Sequence, residues 1–224
     1  MSALSPILVF DLDGTLADTA PDLIATLNVL LAREGLPPHT NDVARVMVGA
    51  GARALIESGF SAGGATLSQD RIQPLVDDFL AHYEQHLADE TRLFPGAQEA
   101  LGRFKDAGFN LAICTNKTER LAKLLLELLD VAPMFQAICG RETFAMSKPD
   151  GRTLLSTIAL AGGDPSRAVM VGDSKTDIDT ARNAGAPVVA VDFGYSDPPV
   201  TQLSPDRVIS HYDELWDAAT ELLG

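Results

Sequence analysis

The tightest constraint on this chain is a run of four apolar residues, Ile7-Leu8-Val9-Phe10, that stops abruptly at Asp11-Leu12-Asp13-Gly14-Thr15. A continuous apolar run without polar alternation reads as a strand covered on both faces, and such strands belong to parallel sheets flanked by helices. Asp11 and Asp13 then stand where the chain leaves the carboxyl edge of the sheet, the edge at which open α/β sheets bind ligands. Carboxylates this close repel when both are ionised, as they are at neutral pH if each titrates near its ordinary value of about 3.9. A hard divalent cation relieves that repulsion. Mg²⁺ typically takes one or two protein carboxylates and completes its shell with water and phosphate oxygens. The competing explanation is a plain turn, which Asp and Gly both favour.

Further along, the pattern changes once. From about Asp18 to about Arg92 every periodic segment is helical: Asp18–Leu31, with Leu23, Leu27, Leu30 and Leu31 at helical spacing, then Val43–Val48, Ala52–Ser58 and Ile72–Leu87. From Leu93 onward helices and strands alternate. Helices are expected over 97–107, 118–130, 150–161 and 175–184, and strands over 109–114, 136–139, 168–171 and 187–191. A strand at Arg207–Ile209 and a helix at Tyr212–Leu223 follow. Alternation of this kind implies βαβ units and a parallel sheet. The expected fold is therefore α/β: a doubly wound parallel sheet from residues 1–17 and 93–224, with an all-helical domain, residues 18–92, inserted after the first strand. Phe94-Pro95-Gly96 punctuates the return to the sheet.

Composition narrows the function classes. A net charge of −14 over 224 residues argues against a general nucleic-acid surface, and it obliges any anionic substrate to be held by local cations. The two cysteines, Cys114 and Cys139, have no Cys-x-x-Cys spacing and read as buried free thiols. The first apolar segment has no basic region before it and ends in Asp11, so it is not a secretory signal. No apolar stretch approaches the ~20 residues of a membrane span. A cytoplasmic protein is expected, with its oligomeric state open.

Three more polar outcrops follow strand-like runs: Thr115-Asn116 after Leu111–Cys114, then Lys148-Pro149, then Gly172-Asp173-Ser174 with Asp177 beyond. Together with Asp-x-Asp-Gly-Thr, this series resembles the haloacid dehalogenase superfamily of phosphohydrolases over the whole chain. The resemblance implies a Rossmann-like core and a helical cap that moves as a lid. It implies Asp11 as a nucleophile that forms an aspartyl phosphate, and Asp13 as general acid and then base. Thr115 and Asn116 would hold phosphate oxygens, and Lys148 would touch nucleophile and phosphate together. Mg²⁺ would be held by Asp11, Asp13 (through its backbone carbonyl) and Asp173, with Asp177 supporting the ion or its waters. Outside the series each has an ordinary explanation: a Thr-Asn helix cap, a solvated loop lysine, an acid at a helix start. Asp173, at a strand end, has none. The second aspartate of the first motif separates phosphatases from the dehalogenase branch. Thr176 and Gly151, beside the motifs, depart from the residues common in relatives.

For the substrate, Val48-Gly49-Ala50-Gly51-Ala52-Arg53-Ala54-Leu55 resembles the substrate-facing loop of phosphoglycolate phosphatases, as does Phe193-Gly194-Tyr195. Gly51 allows close approach, and Arg53 either pairs with a small carboxylate or is a solvated helix arginine. His82 and His86 lie four apart without an acidic third ligand and are not read as a metal site. The expected function is Mg²⁺-dependent hydrolysis of a small phosphorylated metabolite, 2-phosphoglycolate first. The alternatives are a β-phosphoglucomutase-like phosphotransferase, a nucleotide or sugar-phosphate phosphatase, a pyrophosphatase, or a non-catalytic binding or regulatory protein on the same fold.

Overall fold

The computed structural model describes residues 4–40, 48 and 51–224. Its strands in chain order are β1 (Ser5–Phe10), β2 (Ala17–Asp18), β3 (Arg92–Leu93), β4 (Asn110–Cys114), β5 (Ala137–Cys139), β6 (Gly163–Gly172), β7 (Val188–Val191) and β8 (Arg207–Ile209). The described helices are α1 (Ala20–Arg33), α2 (Ala52–Ala62), α3 (Gln69–Gln85), α4 (Ala97–Asp106), α5 (Glu119–Leu128), α6 (Gly151–Leu160), α7 (Lys175–Ala184) and α8 (Leu215–Leu223). Two compact units result, residues 1–17 with 93–224 and residues 18–92. None of the described helices is long and apolar enough to cross a membrane.

In the larger unit six strands form one sheet in the order β5-β4-β1-β6-β7-β8, with each of these neighbouring pairs parallel. The apolar run of β1 explains its central place, because Ile7, Leu8, Val9 and Phe10 are all fully buried and so need cover on both faces. Ile7 and Val9 join Ala112, Met170, Leu154, Ile158 and Ile178 in one cluster beneath α6 and α7. Each fully buried aliphatic side chain there contributes about 1.5–3 kcal/mol. The chain order doubles back around β1, with β4 and β5 on one side and β6 to β8 on the other. Strand ends therefore converge at a topological switch point, where the crevice of such sheets opens.

Several expected boundaries shift for local reasons. Strand 168–171 extends back to Gly163, which pairs with Ser5; the register then shifts, Ala168 facing Ile7, and the intervening Asp164–Arg167 carries no apolar pattern to mark the extension. Asp18 belongs to β2 and not to the helix, which starts at Ala20 with Pro21 in its first turn. The expected helix Tyr212–Leu223 opens as a short 3₁₀ turn, Tyr212–Glu214, before α8. The helical segment expected over 43–48 lies outside the described residues save Val48, a buried turn residue. Cys114 and Cys139 are free and buried, in register on neighbouring strands, and burial pushes the Cys114 thiol up to about 12.

The smaller unit is helical. Leu23, Ile24, Leu27, Leu30 and Leu31 of α1 are buried, as are Leu55, Ile56 and Phe60 of α2 and Ile72, Leu75, Phe79 and Tyr83 of α3. Asp22, in the first turn of α1, is buried and accepts bonds from Glu90 N (3.0 Å), Thr91 N (2.8 Å) and Thr91 Oγ1 (2.7 Å). It thus ties the start of the unit to its end. The crossings themselves, β2 and β3, pair as a two-stranded sheet.

Candidate active site

Three adjacent strands, β4, β1 and β6, end at Thr115, Asp11 and Asp173. Parallel register sets this convergence, since Phe10 lies beside both Ile113 and Val171, and Asp11 N donates to Val171 O at 2.9 Å. Lys148 arrives from the loop after β5. Its Nζ lies 2.9 Å from Asp11 Oδ1 as an ion pair without hydrogen-bond alignment, and it donates to Asp177 Oδ1 at 2.6 Å. Only 2 % of the Lys148 side chain and none of Asp177's is exposed, so this is a desolvated triad.

Asp177 is fully committed. Besides Lys148, it accepts at Oδ2 from Ser174 Oγ (2.6 Å), Ser174 N (3.0 Å) and Asp173 N (3.2 Å), closing a capping box at the start of α7. Asp173 accepts from Thr15 Oγ1 at Oδ1 (2.9 Å) and from Tyr195 N at Oδ2 (2.8 Å). Thr15 is held in turn by the buried Tyr212 hydroxyl, which donates to its carbonyl at 2.8 Å and stays neutral because burial raises its pKa. Gly14 has φ +79°, and a Cβ there would lie 2.6 Å from Asp173 Oδ2 and 2.7 Å from Tyr195 Cδ2. Only glycine lets the loop pass so close to the acid.

Asp11, Asp173 and Asp177 bring ligand oxygens within 4.8 Å of one another. Against three buried carboxylates stands the single charge of Lys148, and buried charge left uncompensated is costly. Burial accordingly pushes Asp11 up to about 6, aided by Asp177 and opposed by Lys148. Burial, with Asp177 and Asp11 beside it, pushes Asp173 up to about 8 despite the bonds from Tyr195 and Thr15. The Lys148 ammonium loses stability through burial, but Asp11 and Asp177 more than restore it, and its pKa is raised. The cluster retains protons at pH values where free carboxyls do not, or it holds a cation. The donor set fits a hard divalent ion: oxygen only, with lone pairs remaining on Asp11 and Asp173.

The other expected residues take distinct places. Thr115 is buried, and its Oγ1 accepts from Lys117 N at 3.2 Å, which leaves its hydroxyl proton to donate elsewhere. Asn116 Nδ2 donates to Lys148 O at 3.2 Å, while its buried Oδ1 has no hydrogen-bond partner. Asp13 does not join the acid cluster; its Oδ1 accepts from Lys117 Nζ at 2.9 Å. Gly51 caps the start of α2, and Arg53, in the first turn of that helix, pairs with Glu57 (3.0 Å) and bonds Gln69 (3.2 Å). Thr15, Tyr195 and Lys117 carry contacts to which sequence reasoning gave no role. Thr15 and Tyr195 stood inside quoted motifs, and Lys117 directly follows Thr115-Asn116.

A family model described as haloacid dehalogenase-like hydrolase matches residues 8–191, the whole run from β1 to β7. The chain belongs to this family. Within the haloacid dehalogenase-like hydrolases its relatives include the phosphoglycolate phosphatase of Mesorhizobium japonicum, 51% identical over 97% of this chain and 96% of the relative. The phosphoglycolate phosphatase of Caulobacter vibrioides is 48% identical over 96% of this chain and 91% of the relative. Among solved structures, a protein from Haemophilus somnus described as a predicted phosphoglycolate phosphatase superposes with a TM-score of 0.87 at 27% identity, covering 95% of this chain and 97% of that one.

Proposed function

We propose that this hydrolase is a Mg²⁺-dependent phosphatase of small phosphorylated metabolites, with 2-phosphoglycolate as its substrate. The observation that carries the chemistry is the desolvated Asp11–Lys148–Asp177 triad beside Asp173 at three adjacent strand ends. Asp11 is the nucleophile. Lys148 restrains its Oδ1, and one carboxylate oxygen attacks phosphorus as the bond to the ester oxygen breaks. Asp13 gives its proton to that oxygen, releasing the alcohol. It then takes a proton from water, whose oxygen attacks the aspartyl phosphate and returns Asp11 as a carboxylate with inorganic phosphate.

Thr115 supplies its hydroxyl proton, and Asn116 its amide, to the phosphate oxygens. Asp11, Asp173 and the Asp13 carbonyl would hold Mg²⁺, with Asp177 behind them fixing Lys148 and the Ser174 loop. The bound ion supplies countercharge for the phosphate and the carboxylates that face it. The unit of residues 1–17 and 93–224 carries this chemistry, and the unit of residues 18–92 is the cap that supplies specificity. Arg53 exchanges Glu57 for the substrate carboxylate. The names of the relatives at 48% and 51% identity support glycolate as the alcohol.

Phosphate release from 2-phosphoglycolate, sugar phosphates, nucleoside monophosphates and pyrophosphate, with and without Mg²⁺ and beside Asp11→Asn, tests this. Mg²⁺-dependent release favouring 2-phosphoglycolate and abolished in the variant is expected. Equal release across the panel would discard the substrate, and release persisting in Asp11→Asn would discard the nucleophile.

A further inference from the structure

Each aspartate of the first motif has its own lysine. Asp11 faces Lys148, whereas Asp13, two residues on, faces Lys117, brought from the loop after β4. The second pair is also withdrawn from solvent: 6 % of the Lys117 side chain and 18 % of Asp13's is exposed. A surface lysine paired across water holds its partner weakly, but a desolvated ammonium at 2.9 Å fixes a carboxyl group in orientation as well as position. The lysine is itself anchored at its backbone. Its N–H donates to Thr115 Oγ1 (3.2 Å), and its carbonyl accepts from Arg141 N (2.9 Å). Asp13 sits on an equally determined turn, bridged to Ala17, with Gly14 N donating to Ala17 O at 3.0 Å.

We propose that Lys117 is the positioning residue for proton transfer, a role that rests on reading Asp13 as the acid and base. By donating to Oδ1 it leaves Oδ2 as the oxygen that carries the proton. It also keeps Asp13 from collapsing onto Lys148, which two buried acids already share. Without the Lys117 ammonium, Asp13 is drawn toward the cation that serves Asp11, and the leaving oxygen loses a correctly placed donor.

The test compares leaving groups. Because kcat/KM reports only steps through departure of the leaving group, it isolates protonation of that oxygen from later hydrolysis of the aspartyl phosphate. We would measure kcat/KM on 2-phosphoglycolate, ethyl phosphate and p-nitrophenyl phosphate for Lys117→Met and Lys117→Arg, alone and with Asp13→Ala. The two alkyl esters need a proton at departure, while p-nitrophenolate leaves without one. Lys117→Met is expected to lose about 10- to 100-fold on both alkyl esters and less than about threefold on p-nitrophenyl phosphate, a part of the roughly 10²- to 10⁴-fold that a general acid contributes, since the acid itself remains. Lys117→Arg should recover most of that loss, and Lys117→Met should cost nothing further when Asp13 is already alanine.

Equal loss on all three esters would overturn the proposal in favour of direct phosphate binding. Loss confined to 2-phosphoglycolate would overturn it in favour of a carboxylate contact, and additivity with Asp13→Ala would overturn it outright. Asp13→Ala alone keeping full activity on ethyl phosphate would instead remove the assignment of Asp13 beneath it. Should Lys117→Met fail to fold, Lys117→Gln carries the same comparison.

Discussion

Lys148 and Arg53 are both cations held by acidic side chains, yet they differ in almost every physical respect. Lys148 is sealed between Asp11 and Asp177, each of which is placed by a strand end or a capping box. Arg53 has 56 % of its side chain exposed, and its partner Glu57 lies one turn along the same helix. Removing one member of the first pair strands a charge in a dry site, while removing one member of the second returns the other to water. The proposed function rests its chemistry on the first arrangement and its substrate recognition on the second.

Lys148→Met is the harshest way to break this contrast. It leaves Asp11 and Asp177 uncompensated, so phosphatase activity should fall by at least about 10³-fold, and stability at neutral pH should fall by about 3–5 kcal/mol in urea unfolding. Asp22→Ala probes a buried acid that has no part in the proposed chemistry. It strips Glu90 and Thr91 of their acceptor and should cost about 2–4 kcal/mol, with kcat for any substrate the enzyme turns over reduced less than about threefold.

The Mg²⁺ response sharpens the comparison without a mutation. Asp11 and Asp173 hold their protons up to about pH 6 and 8, so the metal-free fold loses stability as pH rises from about 4 through that window. The ion requires those protons to leave. Its affinity should therefore be at least about tenfold higher at pH 8.5 than at pH 5.5, by titration calorimetry, and the thermal midpoint gained from Mg²⁺ should grow in step. An affinity flat across this range would show that the raised acids are not the ligands. Arg53→Ala should have the smallest effect: within about 0.5 kcal/mol on stability, and up to about tenfold in KM for 2-phosphoglycolate but none for ethyl phosphate.

The sheet and the acids at its edge were legible because each rests on a local pattern. Four buried residues in a row mark β1, and a charge at the end of such a run marks the edge, so Asp11 and Asp173 could be picked out before their contacts were known. Lys148 and Asp177 stood out only through their place in the series that resembles the family, and Lys117 not at all. Its partner lies 104 positions away, and no periodicity encodes which face of a loop meets which turn. Thr15 likewise meets Asp173 across 158 positions, and the Tyr195 amide reaches the same acid through backbone geometry alone. The Gly163 start of β6 was hidden because the register jumps from Gly163 to Ala168, and the intervening Asp164–Arg167 carries no apolar pattern. Arg53 was legible as a cation at a helix start, but its exchangeable partner Glu57 was not, since any exposed glutamate in reach would serve.

The paired crossings β2 and β3 have a consequence for the inserted unit. Because the chain departs and returns on neighbouring strands, everything between them is, to the core, one long loop whose ends are already fastened together. Closing a longer loop adds little entropy cost once its ends are pinned. The intervening helices can thus be lengthened, shortened or replaced while the order of the six sheet strands stays untouched.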